Sequence, residues 1–169
     1  MSVRAGVAHA DEAEFRRFYE ETARPLRAWL RRAAGADNVD DLAQETYLRF
    51  LRAQVDDLPD DERRAYLYRI AMNLVRDGWR AERRRGPATV LGDVEAPAPP
   101  NAETIDVQRA MGRLRLRERT LLWLAYVERA SHREIATALD VKEGSVRVML
   151  SRARQKLVGA LAQGRRGKP

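Results

Sequence analysis

No cysteine occurs among the 169 residues, which excludes disulfides, thiolate metal sites and cysteine nucleophiles. Histidine is nearly as scarce: only His9 and His132 are present, on different segments, and no glycine-rich loop is spaced to cradle a phosphate. Asp40-Asp41 and Asp60-Asp61 stand where helices are expected to begin, so they read as helix-start acids rather than a metal or acid–base pair. No catalytic residue, metal site or cofactor is therefore expected, and an enzyme finds no support. Apolar runs are only a few residues long, too short for a membrane span. The opening MSVRAGVAHADEAEF does not contain the apolar stretch of a signal peptide. The expectation is a soluble cytoplasmic protein without membrane association.

Aromatic residues are few, at 7%, whereas charged residues reach 34% and the net charge is +7. That balance favours small helical bundles with thin cores over a large enzyme fold. The charge is also unevenly placed. Residues 1–85 hold 17 Lys+Arg against 16 Asp+Glu, and residues 86–112 hold one Arg against four acids. Residues 113–169 hold 14 basic against 5 acidic side chains, so the whole surplus lies in the C-terminal third. A concentrated basic surface suits a nucleic-acid-binding module; a solvated basic face is the plainer alternative.

Helical periodicity is interrupted once, over residues 83–104, RRRGPATVLGDVEAPAPPNAET. Proline at this density favours extended, semi-rigid chain and predicts a linker between two helical domains. Before it, three helices are readable. The first carries Phe15, Phe18, Tyr19, Leu26, Trp29 and Leu30 at helical spacing, with Pro25 predicting a kink or break near Arg24. The second follows Gly35, with Asp37 or Asn38 as its cap and Val39, Leu42, Ala43, Thr46, Tyr47, Phe50 and Leu51 as its apolar stripe. The third starts near Asp60 and turns Leu67, Ile70, Ala71, Leu74 and Val75 inward. After the linker come Ile105, Val107, Met111 and Leu114, then Leu121, Leu122, Leu124, Ala125 and Val127.

Ser131-His132-Arg133-Glu134 is a capping box opening a short helix that ends at Leu139. A turn at Asp140-Val141-Lys142 leads into EGSVRVMLSRARQKL, which completes a helix-turn-helix pattern. In that last stretch Val146, Leu150, Ala153 and Leu157 form a packing face. Arg147, Val148, Ser151, Arg152 and Gln155 form the opposite one, with Met149 and Arg154 on the flanks. A helix in a major groove needs donors for base edges and phosphates and small residues that permit close approach. Arg147, Ser151 and Arg152 are such donors, Val148 suits a thymine methyl, and Gly144 and Ser145 suit a phosphate at the helix start.

The segment RLRLRERTLLWLAYVERASHREIATALDVKEGSVRVMLSRARQKL resembles the promoter-reading domain of sigma-70-type factors, and among them the extracytoplasmic-function group. NVDDLAQETYLRFLRA, followed by RRAYLYRIAMNLVRDGWRAERRR, resembles the other domain of that group. The likeness implies an N-terminal extension over 1–11 and a region-2-like domain over 12–85 that docks on core polymerase and melts the minus-ten element. It further implies a linker over 86–104, a region-4-like helix-turn-helix over 105–160 and a basic tail over 161–169, with Arg165, Arg166 and Lys168 near DNA. The resulting architecture is all-α, two small helical domains joined by a Pro/Gly-rich linker.

Residue roles follow from the same resemblance. Asp41, Leu42, Gln44, Glu45, Thr46 and Leu48 match the helix that meets the clamp helices of the polymerase largest subunit. Tyr66, Arg69, Asn73, Arg76, Arg80 and Arg83 fall in the segment that binds the minus-ten element, where aromatic and guanidinium planes stack unpaired bases. Ser145, Arg147, Val148, Ser151, Arg152 and Arg154 fall in the minus-thirty-five reader. The implied partners are core RNA polymerase and promoter DNA, with room for an anti-sigma factor, and the implied location is the nucleoid. A stand-alone helix-turn-helix regulator with an N-terminal dimerisation or sensing domain is the competing reading. Departures from the family pattern include Arg115 for proline, Arg129 and Asp140 for glycine, and His132 for tyrosine. Lys142 stands at a frequent serine cap, and Val148 and Met149 replace Ser and Arg, which leaves the promoter sequence open.

Overall fold

The structure, a computed structural model, describes residues 3–35, 37–55, 57–84 and 102–166. These form seven helices: α1 (Val3–Ala34), α2 (Val39–Arg52), α3 (Asp60–Arg84), α4 (Ala102–Gly112), α5 (Leu116–Tyr126), α6 (His132–Leu139) and α7 (Glu143–Arg166). Among the described residues there is no strand. The architecture is all-α, as periodicity predicts.

Helices α1–α3 pack as one bundle around Phe18, Leu26, Trp29, Leu30, Tyr47, Phe50, Leu67, Ala71 and Val75. Phe18 stacks on Phe50 at 4.9 Å, and Tyr47 meets Phe15 edge-on. Burial pushes the Tyr47 phenol up to about 12, while its oxygen shares a 2.8 Å hydrogen bond with the Thr22 hydroxyl. Among the described residues Arg63 is the one charged side chain that is buried, at 3% exposure. Its guanidinium lies 5.0 Å from the Phe18 ring and is neutralised by Glu14 and Asp60, so desolvation is offset by pairing and by the aromatic face.

Helices α4–α7 form the second group. Leu116, Leu121, Leu122 and Leu124 of α5 pack with Ile135, Ala136 and Leu139 of α6 and Val146, Leu150 and Ala153 of α7. The capping box opening α6 forms as expected: the Glu134 N–H donates to Ser131 Oγ and the Ser131 N–H to the Glu134 carboxylate. Glu118 likewise accepts from the Arg115 N–H at the start of α5, and arginine, carrying no acceptor, cannot reciprocate. Arg129 and Asp140 both adopt φ 54°, the left-handed geometry expected where glycine is usual.

Several local expectations are corrected. Helix α1 runs unbroken through Pro25 and begins at Val3, so the presumed extension is helical. Proline costs one backbone bond, but Thr22, Ala23, Leu26, Trp29 and Leu30 are buried on either side and hold the helix together. Asn38 occupies the N-cap of α2 without a side-chain cap bond. Leu51, read as inward, is 49% exposed because α1 and α3 cover only the Val39–Ala43–Tyr47–Phe50 side; Leu48 shares its outer edge. Val107 is exposed because it lies on a different side of α4 from the buried Ala110, and Val127 because it follows the end of α5; the burial of Ile105 lies outside the described residues. The linker gives way to helix at Ala102 rather than after Thr104. Helix α7 continues into the basic tail as far as Arg166. The remainder of the linker, and residues 167–169, lie outside the described residues.

The two groups touch. The most extensive contact between any two helices joins α3 to α6, with α5 also against α3. Tyr68 of α3 is 1% exposed, and its hydroxyl receives the indole N–H of Trp123 at 3.3 Å.

Candidate polymerase and nucleic-acid interfaces

Helix α2 is amphipathic because its apolar residues recur on the side facing α1 and α3, which leaves the opposite side to solvent. Of the six candidate polymerase contacts, Asp41 and Gln44 are exposed, Leu42 and Glu45 are half-buried, and Leu48 is 40% exposed. Glu45 pairs with Arg49 at 2.6 Å. Thr46 differs from the others: its side chain is 0% exposed and donates a 2.6 Å hydrogen bond to the Leu42 carbonyl. It therefore belongs to the bundle core, and its expected place on the contact surface is corrected. Beside α2 runs an open groove of about 300 Å³ lined by Asp41, Leu42, Glu45, Leu74, Val75 and Trp79, among others. The groove has an apolar floor and an acidic rim. Trp79 lines this groove although it is absent from the candidate polymerase contacts, and Leu51, read as inward, is exposed on α2, because a periodic stripe does not reveal where neighbouring helices stop covering it.

On α3, Tyr66, Arg69, Asn73, Arg76 and Arg80 fall at three- and four-residue spacing and so share one side of the helix. Arg76 and Arg80 are exposed, while Tyr66, Arg69 and Asn73 are half-buried. The Asn73 carbonyl oxygen accepts from Arg76 at 2.9 Å. Arg80 lies 3.7 Å from Asp77, an exposed pair of little energetic weight. Arg83 belongs to α3, but its side chain lies outside the described residues. Arg69 is engaged differently: its guanidinium pairs at 3.2 Å with Asp140, in the turn before α7. Tyr68 is core rather than surface, and burial raises its pKa strongly.

Helix α7 divides as its sequence predicts. Val146, Leu150 and Ala153 are buried, Leu157 is half-buried, and Ser145, Arg147, Val148, Ser151, Arg152 and Arg154 are exposed. Among the described residues no acidic side chain pairs with Arg147, Arg152 or Arg154. Lys156 by contrast is tied to Glu118. Burial works to raise the pKa of that carboxyl, but the Lys156 contact and the Arg115 N–H outweigh it and hold the group below its ordinary value. The Ser145 N–H is already used, donating to the Lys142 carbonyl at 2.9 Å, which corrects its expected availability to a phosphate. Arg147 and Arg154 line a shallow cleft with Tyr126 and His132, placing His132 beside the basic face as an addition to the residues found from sequence. A convex helix whose exposed arc carries three guanidinium groups without an acidic partner among the described residues, Arg152 opposite the packing side and Arg147 and Arg154 on its flank, and which is seated by that packing side on α5 and α6, has the form required to enter a DNA groove.

Comparison with known proteins agrees with this geometry. The model of sigma-70 region 2 matches residues 18–85, and that of sigma-70 region 4 matches residues 104–157. The chain is 30% identical over 159 residues to the ECF RNA polymerase sigma factor SigL of Mycobacterium tuberculosis, covering 86% of this chain and 88% of the relative. It is 31% identical over 140 residues to the RNA polymerase sigma factor CnrH of Cupriavidus metallidurans, covering 73% of each. The solved structure of CnrH in complex with the cytosolic domain of CnrY superposes with a TM-score of 0.66 at 26% identity, over 94% of both chains. The sigma factor RpoE of Bartonella quintana, in complex with the anti-sigma factor NepR, shares the fold with a TM-score of 0.71 at 21% identity, over 88% of this chain and 97% of that one. With both regions matched in order and most of its length shared with such relatives, the chain belongs to the extracytoplasmic-function group of the sigma-70 family of RNA polymerase sigma factors.

Proposed function

We propose that the chain works in transcription initiation through three surfaces. Residues 12–85 form the unit that docks on the clamp helices of core polymerase through Asp41, Leu42, Gln44, Glu45 and Leu48, with Thr46 beneath them. The same unit engages the minus-ten element through Tyr66, Arg69, Asn73, Arg76, Arg80 and Arg83. Residues 105–160 read the minus-thirty-five element through Arg147, Val148, Ser151, Arg152 and Arg154, with Ser145 at the helix start. Residues 86–104 link the two units and 161–169 form a basic tail. Bond formation stays with the polymerase in this reading, and the chain supplies address and strand opening. It works in the cytoplasm, at the nucleoid.

The observation that carries the reading is the unpaired basic side of α7 opposite a buried packing side. A stand-alone regulator is not favoured, because the region 2 match covers the half that would have to sense or dimerise. In their solved structures CnrH is in complex with the cytosolic domain of CnrY and RpoE with the anti-sigma factor NepR, which supports an anti-sigma factor as a class of partner for this chain.

Run-off transcription with core polymerase and a genomic promoter library tests the reading. A promoter-dependent transcript is expected; absence of both core binding and transcript would overturn it. Arg152→Ala is expected to weaken discrimination at the minus-thirty-five element by about 1–3 kcal/mol if the guanidinium spans a base edge. An equal loss on every sequence would make Arg152 a phosphate contact instead.

A further inference from the structure

One turn of α5 reaches both arms of the helix-turn-helix. The Arg117 guanidinium donates to the Leu139 carbonyl at 2.8 Å, and Leu139 is the last residue of α6. The next residue, Glu118, pairs with Lys156 of α7. Its carboxylate also accepts from the Arg115 N–H, so it is held from its own helix as well as from α7. Leu116 and Thr120 on either side are buried, and the Thr120 hydroxyl donates to the Leu116 carbonyl, which seats this turn firmly in the core.

The link between the two arms restrains itself only weakly. Asp140 ends α6 at φ 54° and ψ 57°, left-handed geometry that a residue with a Cβ adopts at a cost. Lys142, immediately before α7, has no acceptor with which to cap that helix. The N–H groups of Asp140 and Val141 go to the Thr137 and Ala136 carbonyls, so the Leu139 carbonyl receives neither. A carbonyl at a helix end needs a partner from outside its own ladder. Arg117 supplies one with a charged donor at the negative end of the α6 dipole, a stronger bond than one between neutral groups.

We propose that Arg117 and Glu118 are positioning residues for α7: Arg117 fastens the end of α6, Glu118 fastens the body of α7, and the two grips together fix the angle at which α7 leaves the turn. The idea rests on the sigma-factor reading for the DNA that α7 meets, and on the fold alone for the bracket. Neither residue touches a base in this role. Lys156 stands about 20 Å along α7 from Glu143 at about 1.5 Å per residue, so a shift of about 1 Å at the Glu118 grip turns the helix by only about 3°. Arg152 lies one turn before Lys156 on the same side of α7, so that grip bears directly on the guanidinium opposite the packing side.

The test uses the full chain and two substitutions. Arg117→Met keeps the unbranched stem, and Glu118→Gln keeps an acceptor for the Arg115 N–H but loses the charge facing Lys156. In the free chain, amide hydrogen exchange at Asp140 and Val141 is expected to quicken about tenfold in Arg117→Met, with exchange at Leu122 in the α5 core unchanged. Holoenzyme is then offered a duplex carrying the minus-thirty-five element selected by run-off transcription, and the same duplex with that element scrambled. Discrimination between the two should fall about fivefold or more in each variant, while affinity for single-stranded minus-ten DNA stays at the wild-type value. Arg117→Lys, which keeps a cationic donor, should recover most of the exchange protection and of the discrimination. Unchanged exchange at the turn, unchanged discrimination in folded variants, or an equal loss on the scrambled duplex would overturn the positioning role. Faster exchange that includes Leu122 and is not repaired by Arg117→Lys would also overturn it, by making Arg117 a residue of general stability. A turn that exchanges faster in a protein driving no promoter-dependent transcript would support the bracket while overturning the sigma reading.

Discussion

Thr46 offers the sharpest separation of a contact residue from a residue beneath the contact. By resemblance it stands among the side chains that meet polymerase, yet it is fully buried and its hydroxyl is spent on the Leu42 carbonyl one turn earlier. Thr46→Val keeps the shape and replaces the hydroxyl with a methyl. The lost hydrogen bond is worth about 1 kcal/mol. The carbonyl of Leu42 retains its place in the helix ladder, and burying a methyl instead of a hydroxyl returns roughly 1 kcal/mol. Net stability should therefore change by less than about 1 kcal/mol. Core polymerase affinity, measured by fluorescence anisotropy of the labelled chain, should stay within about twofold of wild type, since 1 kcal/mol is already about a fivefold factor. Leu48→Asp, on the exposed edge of the same helix, should lower that affinity at least tenfold without unfolding the bundle. Thr46→Glu brings a charge to a site with no cation partner and should unfold α1–α3, which also argues against phosphorylation of Thr46 in the folded chain. A tenfold loss of affinity in a Thr46→Val protein of normal stability would refute the division between surface and support.

Two further outcomes concern stability. Arg129→Gly relieves a left-handed strain of about 1–2 kcal/mol and adds about 0.5–1 kcal/mol of backbone entropy cost, so a net gain of up to about 1 kcal/mol is expected, visible as a melting point about 1–4 °C higher. Glu128 has its pKa raised by burial beside Tyr68, against the lowering influence of Tyr68, Trp123 and Arg64. The folded state then holds this proton more tightly than the unfolded state, so the group adds stability as pH falls through its folded value and levels off below the unfolded value near 4.5. The difference in urea midpoint between wild type and Glu128→Gln should change across that window; a constant difference would show that Glu128 is not the titrating group.

Much of the fold was legible because its signals are local. The Ser131–Glu134 box and the Val146–Leu150–Ala153 spacing each lie within a turn or two of helix and specify the helix-turn-helix without outside help. The candidate site was legible to the same extent: side-chain chemistry along α3 and α7 is periodic, and the structure keeps those sides together. What escaped depends on partners distant in the chain. Tyr68 and Trp123 are 55 residues apart and bury each other. Arg63 enters the core only because Phe18, Phe50 and Glu14 come from α1 and α2. Pro25 is overruled by packing on both of its sides, and Leu51 is exposed because neighbouring helices stop short of it. Thr46 sets two readings side by side: the apolar period of α2 already placed it inward, while the motif match alone put it among the polymerase contacts.

Helix α7 is longer than its reading face requires. It continues from Glu143 to Arg166, and beyond Leu157 it lies against α4, where Arg113 donates to the Ala160 carbonyl and the Gln163 side chain, both at 3.4 Å. At about 1.5 Å per residue this makes a beam some 36 Å long, with bases expected at one end and α4 fastened to the other. Because α4 is also where the chain re-enters from the linker, tension arriving at Ala102 turns the whole beam instead of bending it. If the C-terminal unit reads the minus-thirty-five element as proposed, the orientation of Arg147 and Arg152 is thereby coupled to the position of α4.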